Sequence, residues 1–160
     1  MSKNMHISVV LGRIADLEAK SADLYSFYAE IFEDSEVAAR IFLEMKREEE
    51  GHLNQVLFQK RIVDKNPSMY PEMMMDLTPI NRLIDLIENH IQNGVFSVLE
   101  ALDFAIELEQ NAAEVHYRSF TEKRCAPLRK LTQFLKNSDK DHIGKLFALR
   151  SLIASQRSSE

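Results

Sequence analysis

A single cysteine, Cys125, stands in 160 residues, which excludes an internal disulfide framework and any CxxC metal or redox knuckle. Glycine and proline are scarce as well, four of each. So little punctuation favours a few long helices over many short strands. No apolar run is long enough for a membrane-spanning helix. At 45% apolar residues the chain is too hydrophobic for disorder. Lysine and arginine nowhere cluster, and 20 basic residues face 25 acidic ones for a net charge of −5. A nucleic-acid backbone is a poor partner for such a chain. The start, Met1-Ser2-Lys3-Asn4-Met5-His6, lacks the apolar stretch of a signal peptide, so a cytoplasmic location is the expectation. The length suggests one domain with room for a real core.

What is present is helical periodicity. From residue 6 to about 32, apolar residues recur at three- and four-residue spacing, among them Leu11, Ile14, Tyr25 and Phe32. Asp34-Ser35 offers an N-cap, and a second helix is expected from 36 to about 63. Pro67 and Pro71 exclude a helix over 64–78. Thr78-Pro79 then predicts a shorter helix that ends near Gly94. Ser97 and Glu100 have capping-box spacing and open a third long helix to about Glu122. Pro127 falls in the first turn of a fourth, running to about Ser151. Residues 6–154 form the expected domain, and 155–160 a polar tail expected to fray. Four helices of about 25 residues would each be about 37 Å long. With short connections inside the first and last pairs, they describe an all-α four-helix bundle. Its two antiparallel hairpins are joined by a long crossover carrying an extra short helix.

The chain also repeats itself at a shift of about ninety residues. Asp16-Leu17-Glu18 matches Glu107-Leu108-Glu109, and Ala22-Asp23-Leu24-Tyr25 matches Ala113-Glu114-Val115-His116. Glu49-Glu50-Gly51-His52-Leu53 matches Asp139-Lys140-Asp141-His142-Ile143. Each hairpin thereby has one carboxylate on its first helix and carboxylate-x-x-His on its second. All of these interrupt apolar stripes. Glu18 falls among Leu11, Ile14 and Tyr25, Glu49 and His52 between Met45 and Val56, Glu109 beside Leu102 and Ala105, and Asp139 with His142 between Leu135 and Leu146.

Unpaired buried carboxylates are costly enough to protonate or to disrupt packing. The stripe positions hold no lysine or arginine to pair with them. Bound cations are the economical resolution, because they neutralise carboxylates and accept neutral imidazoles. Residues at i and i+3 share a helix face, so Glu49 with His52 and Asp139 with His142 each suit one metal. Asp141 is not the expected ligand, because it is next to His142 in sequence and residues one or two apart on a helix diverge. Glu18 and Glu109 are left to bridge or cap. Mixed carboxylate–imidazole ligation suits iron or manganese better than zinc. Tyr25 and His116 stand two turns, about 10.5 Å, beyond Glu18 and Glu109 along their own helices. They are expected to hydrogen-bond to a ligand carboxylate and not to ligate.

This set of residues resembles the ferritin-like di-iron carboxylate proteins, most closely their rubrerythrin-like branch, over nearly the whole chain. The likeness rests on Glu18 with Tyr25 seven residues on, Glu49-x-x-His52, Glu109, and Asp139-x-x-His142. It implies Glu18, Glu49, His52, Glu109 and His142 as ligands of two iron ions, with Glu49 and the Asp139 position bridging or chelating. Manganese or zinc are the alternative metals. It further implies an oxidoreductase that reduces hydrogen peroxide or dioxygen with electrons from a separate donor protein, in a homo-oligomer, a dimer first. Asp139 stands where the family usually has glutamate, and His116 where a tyrosine would be more usual. No CxxC pairs follow the bundle, so no iron–sulfur domain is expected. Glu50-Gly51 lacks the methionine of a haem-binding bacterioferritin. Two other functions share this ligand chemistry: a ferroxidase storing iron in a shell of many subunits, and a metal-stabilised bundle without catalysis. The long crossover with its own helix weighs against the shell.

The remaining features have plainer expectations. His6 belongs to a frayed terminus and His90 to the surface of the crossover helix. Met69, Met73, Met74 and Met75 pack an irregular segment over the bundle. Lys46-Arg47-Glu48 forms the solvated side of the second helix. Cys125 receives no role.

Overall fold

The computed structural model describes residues 1–119 and 126–159, with the side chains of 117–119, 126 and 127 left aside. Cys125 and the expected helix end near Glu122 lie outside the described residues. In chain order the elements are β1 (Lys3–His6), α1 (Ile7–Ile31), α2 (Glu36–Lys65), a 3-10 turn (Pro67–Met69), β2 (Glu72–Met75), α3 (Thr78–Asn93), α4 (Val98–Ser119) and α5 (Ala126–Arg157). The protein is mostly helical, as the scarcity of glycine and proline predicts. Helix α5 continues to Arg157, through the start of the segment expected to fray.

The amino terminus differs from expectation. Residues Lys3–His6 pair antiparallel with Glu72–Met75, Lys3 opposite Met75 and His6 opposite Glu72. His6 is the N-cap of α1: its Nδ1 accepts a hydrogen bond from the Ser8 amide at 3.2 Å, and its Nε2 lies 3.1 Å from the Pro67 carbonyl oxygen. It is therefore tied down at both ring nitrogens. Met73 and Met75 turn toward the core from β2, while Met69 and Met74 face solvent, so the packing role of the methionines holds for half of them.

Helix ends follow local chemistry with small shifts from expectation. Ser35 occupies the cap of α2 without a side-chain bond. Thr78 is the first residue of α3 and not its cap; the Asp76 carboxylate accepts from its amide at 3.0 Å. Gly94 ends α3 at φ 75°, ψ 175°, a backbone region open essentially to glycine. Ser97 Oγ accepts from the Glu100 amide, and Glu100 reaches back to the Phe96 amide, one residue beyond the usual capping-box partner.

Helix α1 packs along α2 and α4 along α5, while α3 lies on α1 and touches α4, and α2 meets α5. The core between them contains Leu11, Ile14, Leu17, Phe42, Met45 and Leu102, all essentially without solvent contact. Helix α3 contributes a stripe of Ile80, Leu83, Ile84 and Ile87 at amphipathic spacing. His90, expected at the surface, instead stacks on Phe104 at 3.6 Å between ring centres and sets its Nε2 2.5 Å from the Tyr28 hydroxyl. An amphipathic helix lying across a bundle has this half-buried edge, where an imidazole can stack and still hydrogen-bond.

Candidate metal centre

The six residues proposed from the sequence as ligands are all buried, between 0% and 4% exposed. Helix periodicity explains this: each shares its face with the apolar residues one turn away, so burying the stripe buries the charge. Two compact groups result. Glu18, Glu49 and His52 bring one ligand atom each within 4.8 Å of one another, and so do Glu49, Glu109 and His142. Glu49 belongs to both.

The contacts run as an alternating chain of acids and imidazoles. His52 Nδ1 lies 3.3 Å from Glu18 Oε2 and 3.0 Å from Glu49 Oε2. His142 Nδ1 lies 2.9 Å from Glu49 Oε1 and 3.4 Å from Glu109 Oε2. The two oxygens of Glu49 thus address different histidines, and the two rings stack at 5.5 Å. Separations of this size suit neighbouring ligands on one metal, since bonds of about 2.1 Å at right angles put donor atoms about 3 Å apart. His142 Nδ1 is buried without a hydrogen-bond partner among the described residues, although both carboxylates are close. The contacts are near but misaligned for a proton. Protonated, this nitrogen forms ion pairs with both carboxylates; neutral, it offers a metal its lone pair.

The opposite ring nitrogens are held from behind. His142 Nε2 is 2.7 Å from Glu48 Oε2, and Lys145 donates to Glu48 Oε1 at 2.6 Å and to Glu44 at 2.9 Å. His52 Nε2 is 2.7 Å from Ser138 Oγ. Such outer partners fix ring orientation and keep Nδ1 turned inward, where that of His52 is hydrogen-bonded to Glu49 at 3.0 Å. Glu48, expected on the solvated side of α2, is only 35% exposed. The sequence carried a signal for both partners: Glu48 and Ser138 each immediately precede the carboxylate of a repeat, at matched positions.

Tyr25 and His116 also cross between hairpins. Tyr25 donates to Glu109 Oε1 at 2.5 Å, the expected contact with a ligand carboxylate. His116, its counterpart in the repeat, sets Nε2 2.9 Å from Glu18 Oε1 and Nδ1 2.7 Å from Asp139 Oδ2. Counting two turns from Glu109 placed it far from the centre, but that distance runs along one helix and says nothing of Glu18 on another. Asp139 belongs to neither compact group. Its carboxylate, one methylene shorter than that of Glu49, is engaged by His116 and not directed to His142 as the i,i+3 pairing anticipates.

Burial and the paired imidazoles compete over the charges. Burial raises the Glu18 carboxyl, but His116 and His52 more than reverse this and hold it well below the usual range. Burial together with the Glu109 charge pushes Glu49 up to about 8. Burial lowers His52 and His142, yet their carboxylate partners carry them to about 10 and about 12. Burial raises Asp139 to about 6 despite His116. Without a metal, the cluster is a set of protonated imidazoles against shared carboxylates. A metal ion would take the place of those protons.

Comparison of the chain with protein-family models, curated proteins and solved structures gave no match.

Proposed function

We propose that this chain is a ferritin-like two-metal protein of rubrerythrin-like type, an oxidoreductase that reduces hydrogen peroxide or dioxygen with electrons from a separate donor. The observation that carries the reading is Glu49, whose two oxygens serve two groups, each completed by one further glutamate and one inward Nδ1. Glu18, Glu49 and His52 would hold one metal, and Glu49, Glu109 and His142 the other. Iron best suits this mixture of carboxylate and imidazole. Two iron ions held by these residues would supply redox equivalents and Lewis acidity.

The chain's own residues do the rest. Ile14 and Met45, one turn from Glu18 and Glu49 on the same helix faces, are without solvent contact and help exclude water from the carboxylates. Tyr25 keeps its proton, because burial and the Glu109 charge raise it well above its ordinary value. It therefore holds one oxygen of Glu109 as a permanent donor. Glu48, between Lys145 and His142, anchors the second imidazole and connects it to the partly exposed edge of α2 and α5.

A second reading also has an observation behind it. His52 Nδ1 is aligned for a hydrogen bond to Glu49, so a histidine–carboxylate network could serve as a purely structural polar core. Metal titration followed by peroxide turnover with an artificial reductant separates the two. The expected outcome is two iron ions per chain and peroxide consumption faster than with free iron. Two tightly bound iron ions without turnover would leave a metal-stabilised bundle, and no binding at all would leave the structural core.

A further inference from the structure

Two fully buried tyrosines connect the candidate centre with the edge of α3. Tyr25 donates to Glu109 Oε1, and its ring meets that of Tyr28 edge-on at 6.3 Å between centres. The Tyr28 hydroxyl in turn lies 2.5 Å from Nε2 of His90, a half-buried residue of α3. We propose that Tyr28 and His90 form a proton-coupled redox pair, which carries an oxidising equivalent from the Glu109 end of the centre to the surface beside α3. The source of that equivalent, peroxide acting on the metals, rests on the two-metal reading above; the pair itself does not.

Three features carry the assignment. The first is the base. One-electron oxidation of a phenol makes its proton strongly acidic, so the electron leaves readily where a base already touches the hydroxyl. Burial raises Tyr28 and lowers His90, so phenol and imidazole are both neutral at neutral pH. The ring tautomer protonated at Nδ1 then accepts the hydroxyl proton at Nε2. The second is the contrast with Tyr25, whose hydroxyl donates to Glu109, a carboxylate that metal ligation makes a poor base. Of the two buried phenols, Tyr28 is the one whose base lies outside the centre. The third is the surroundings. Tyr28 packs among Phe27, Phe32 and Phe42, rings harder to oxidise than a phenol, and it has no solvent contact. Phe104 stacks on His90 and holds the imidazole plane. The Glu100 charge acts on both members of the pair and favours the imidazolium.

In the step itself, Tyr28 loses one electron to the oxidant. Its O–H bond breaks, and the proton forms an N–H bond at His90 Nε2. A neutral phenoxyl radical and an imidazolium result. A one-electron reductant in solution, such as ascorbate, returns the electron through the His90 edge, and the proton goes back to the phenol. An oxidising equivalent that meets no donor thereby leaves the centre before it attacks the ligand side chains.

The test uses the full chain with Tyr25→Phe, Tyr70→Phe and Tyr117→Phe, so that Tyr28 is its one tyrosine. The metal-free protein is oxidised by flash-generated ruthenium(III) tris-bipyridine, and the radical is followed by absorbance and by electron paramagnetic resonance of frozen samples. The expected result is a neutral phenoxyl signal that forms more slowly in D2O. His90→Gln, which keeps an acceptor but no base, should slow it by about 100-fold. An unchanged rate in His90→Gln overturns the assignment, and so does the absence of a radical. Should His90→Gln not fold, the solvent comparison decides alone, because equal rates in H2O and D2O mean that no proton moves with the electron. The link to the centre is tested in the chain that keeps Tyr25 and Tyr28, loaded with iron and given peroxide without reductant. A phenoxyl signal that Tyr28→Phe abolishes is expected. Bound iron that consumes peroxide without that signal overturns the relay. No bound iron removes the two-metal reading and with it the link, while the flash result still decides the pair.

Discussion

At the scale of single residues, sharing distinguishes Glu49 from its neighbours. Glu49→Ala removes an oxygen from both groups, so both metals should be lost together. Glu109→Ala should release only one. Metal per chain after dialysis against a competing chelator decides this, and a Glu49→Ala protein that keeps one tight metal contradicts the bridging role. Glu48 acts at one remove: Glu48→Gln keeps an acceptor for His142 but removes its charge. It should weaken one metal by roughly 10- to 100-fold and leave the other unchanged, readable as one altered step in a two-step titration. The inward placement of the six residues was legible because helical period alone decides which side of a helix a residue occupies. The cross-helix partners were not. Whether Asp139 meets His142 or His116, and whether Glu48 meets water or His142, depends on the relative rotation and height of α2, α4 and α5, which no single-helix pattern encodes.

At the scale of elements, boundaries were legible wherever a backbone constraint announces itself. Prolines stop α2 and start α3, and Gly94 ends α3 at positive φ. Gly94→Ala would force a Cβ into that conformation and should cost on the order of 1–3 kcal/mol, measured as a shift of the denaturation midpoint at unchanged slope. A midpoint within error of wild type would mean that the α3–α4 turn relaxes freely. The β1–β2 ribbon was illegible for the opposite reason. Four residues of mixed character, Lys3-Asn4-Met5-His6, carry no alternation of their own. Their partner lies some seventy residues away, and pairing over that distance leaves little local trace.

At the scale of the whole molecule, the buried cluster couples stability to pH, and the sign follows from the directions of its shifts. In the metal-free chain His52 and His142 stand at about 10 and about 12, raised from 6.5. Their contribution is complete below pH 6.5 and is lost as pH rises through those values. Glu49, raised from 4.5 to about 8, and Asp139, raised from 3.8 to about 6, act in the same direction. Each holds its proton longer folded than unfolded, so folding weakens as pH climbs through that window. Glu18 is shifted down, and its contribution is already complete above 4.5, so it adds no slope at neutral pH. The metal-free chain should therefore lose thermal stability between pH 6.5 and 9. Metal binding has the reverse dependence, because it needs neutral imidazoles and ionised carboxylates. Saturation at a hundred times Kd adds about 2.7 kcal/mol, and the apparent Kd should fall as protons leave. Melting curves with chelator and with excess cobalt(II), taken across that range, should diverge steadily as pH rises. Parallel curves would mean that no proton is displaced by metal. A metal-free midpoint that climbs with pH would mean that the imidazoles are not the cations holding this core together.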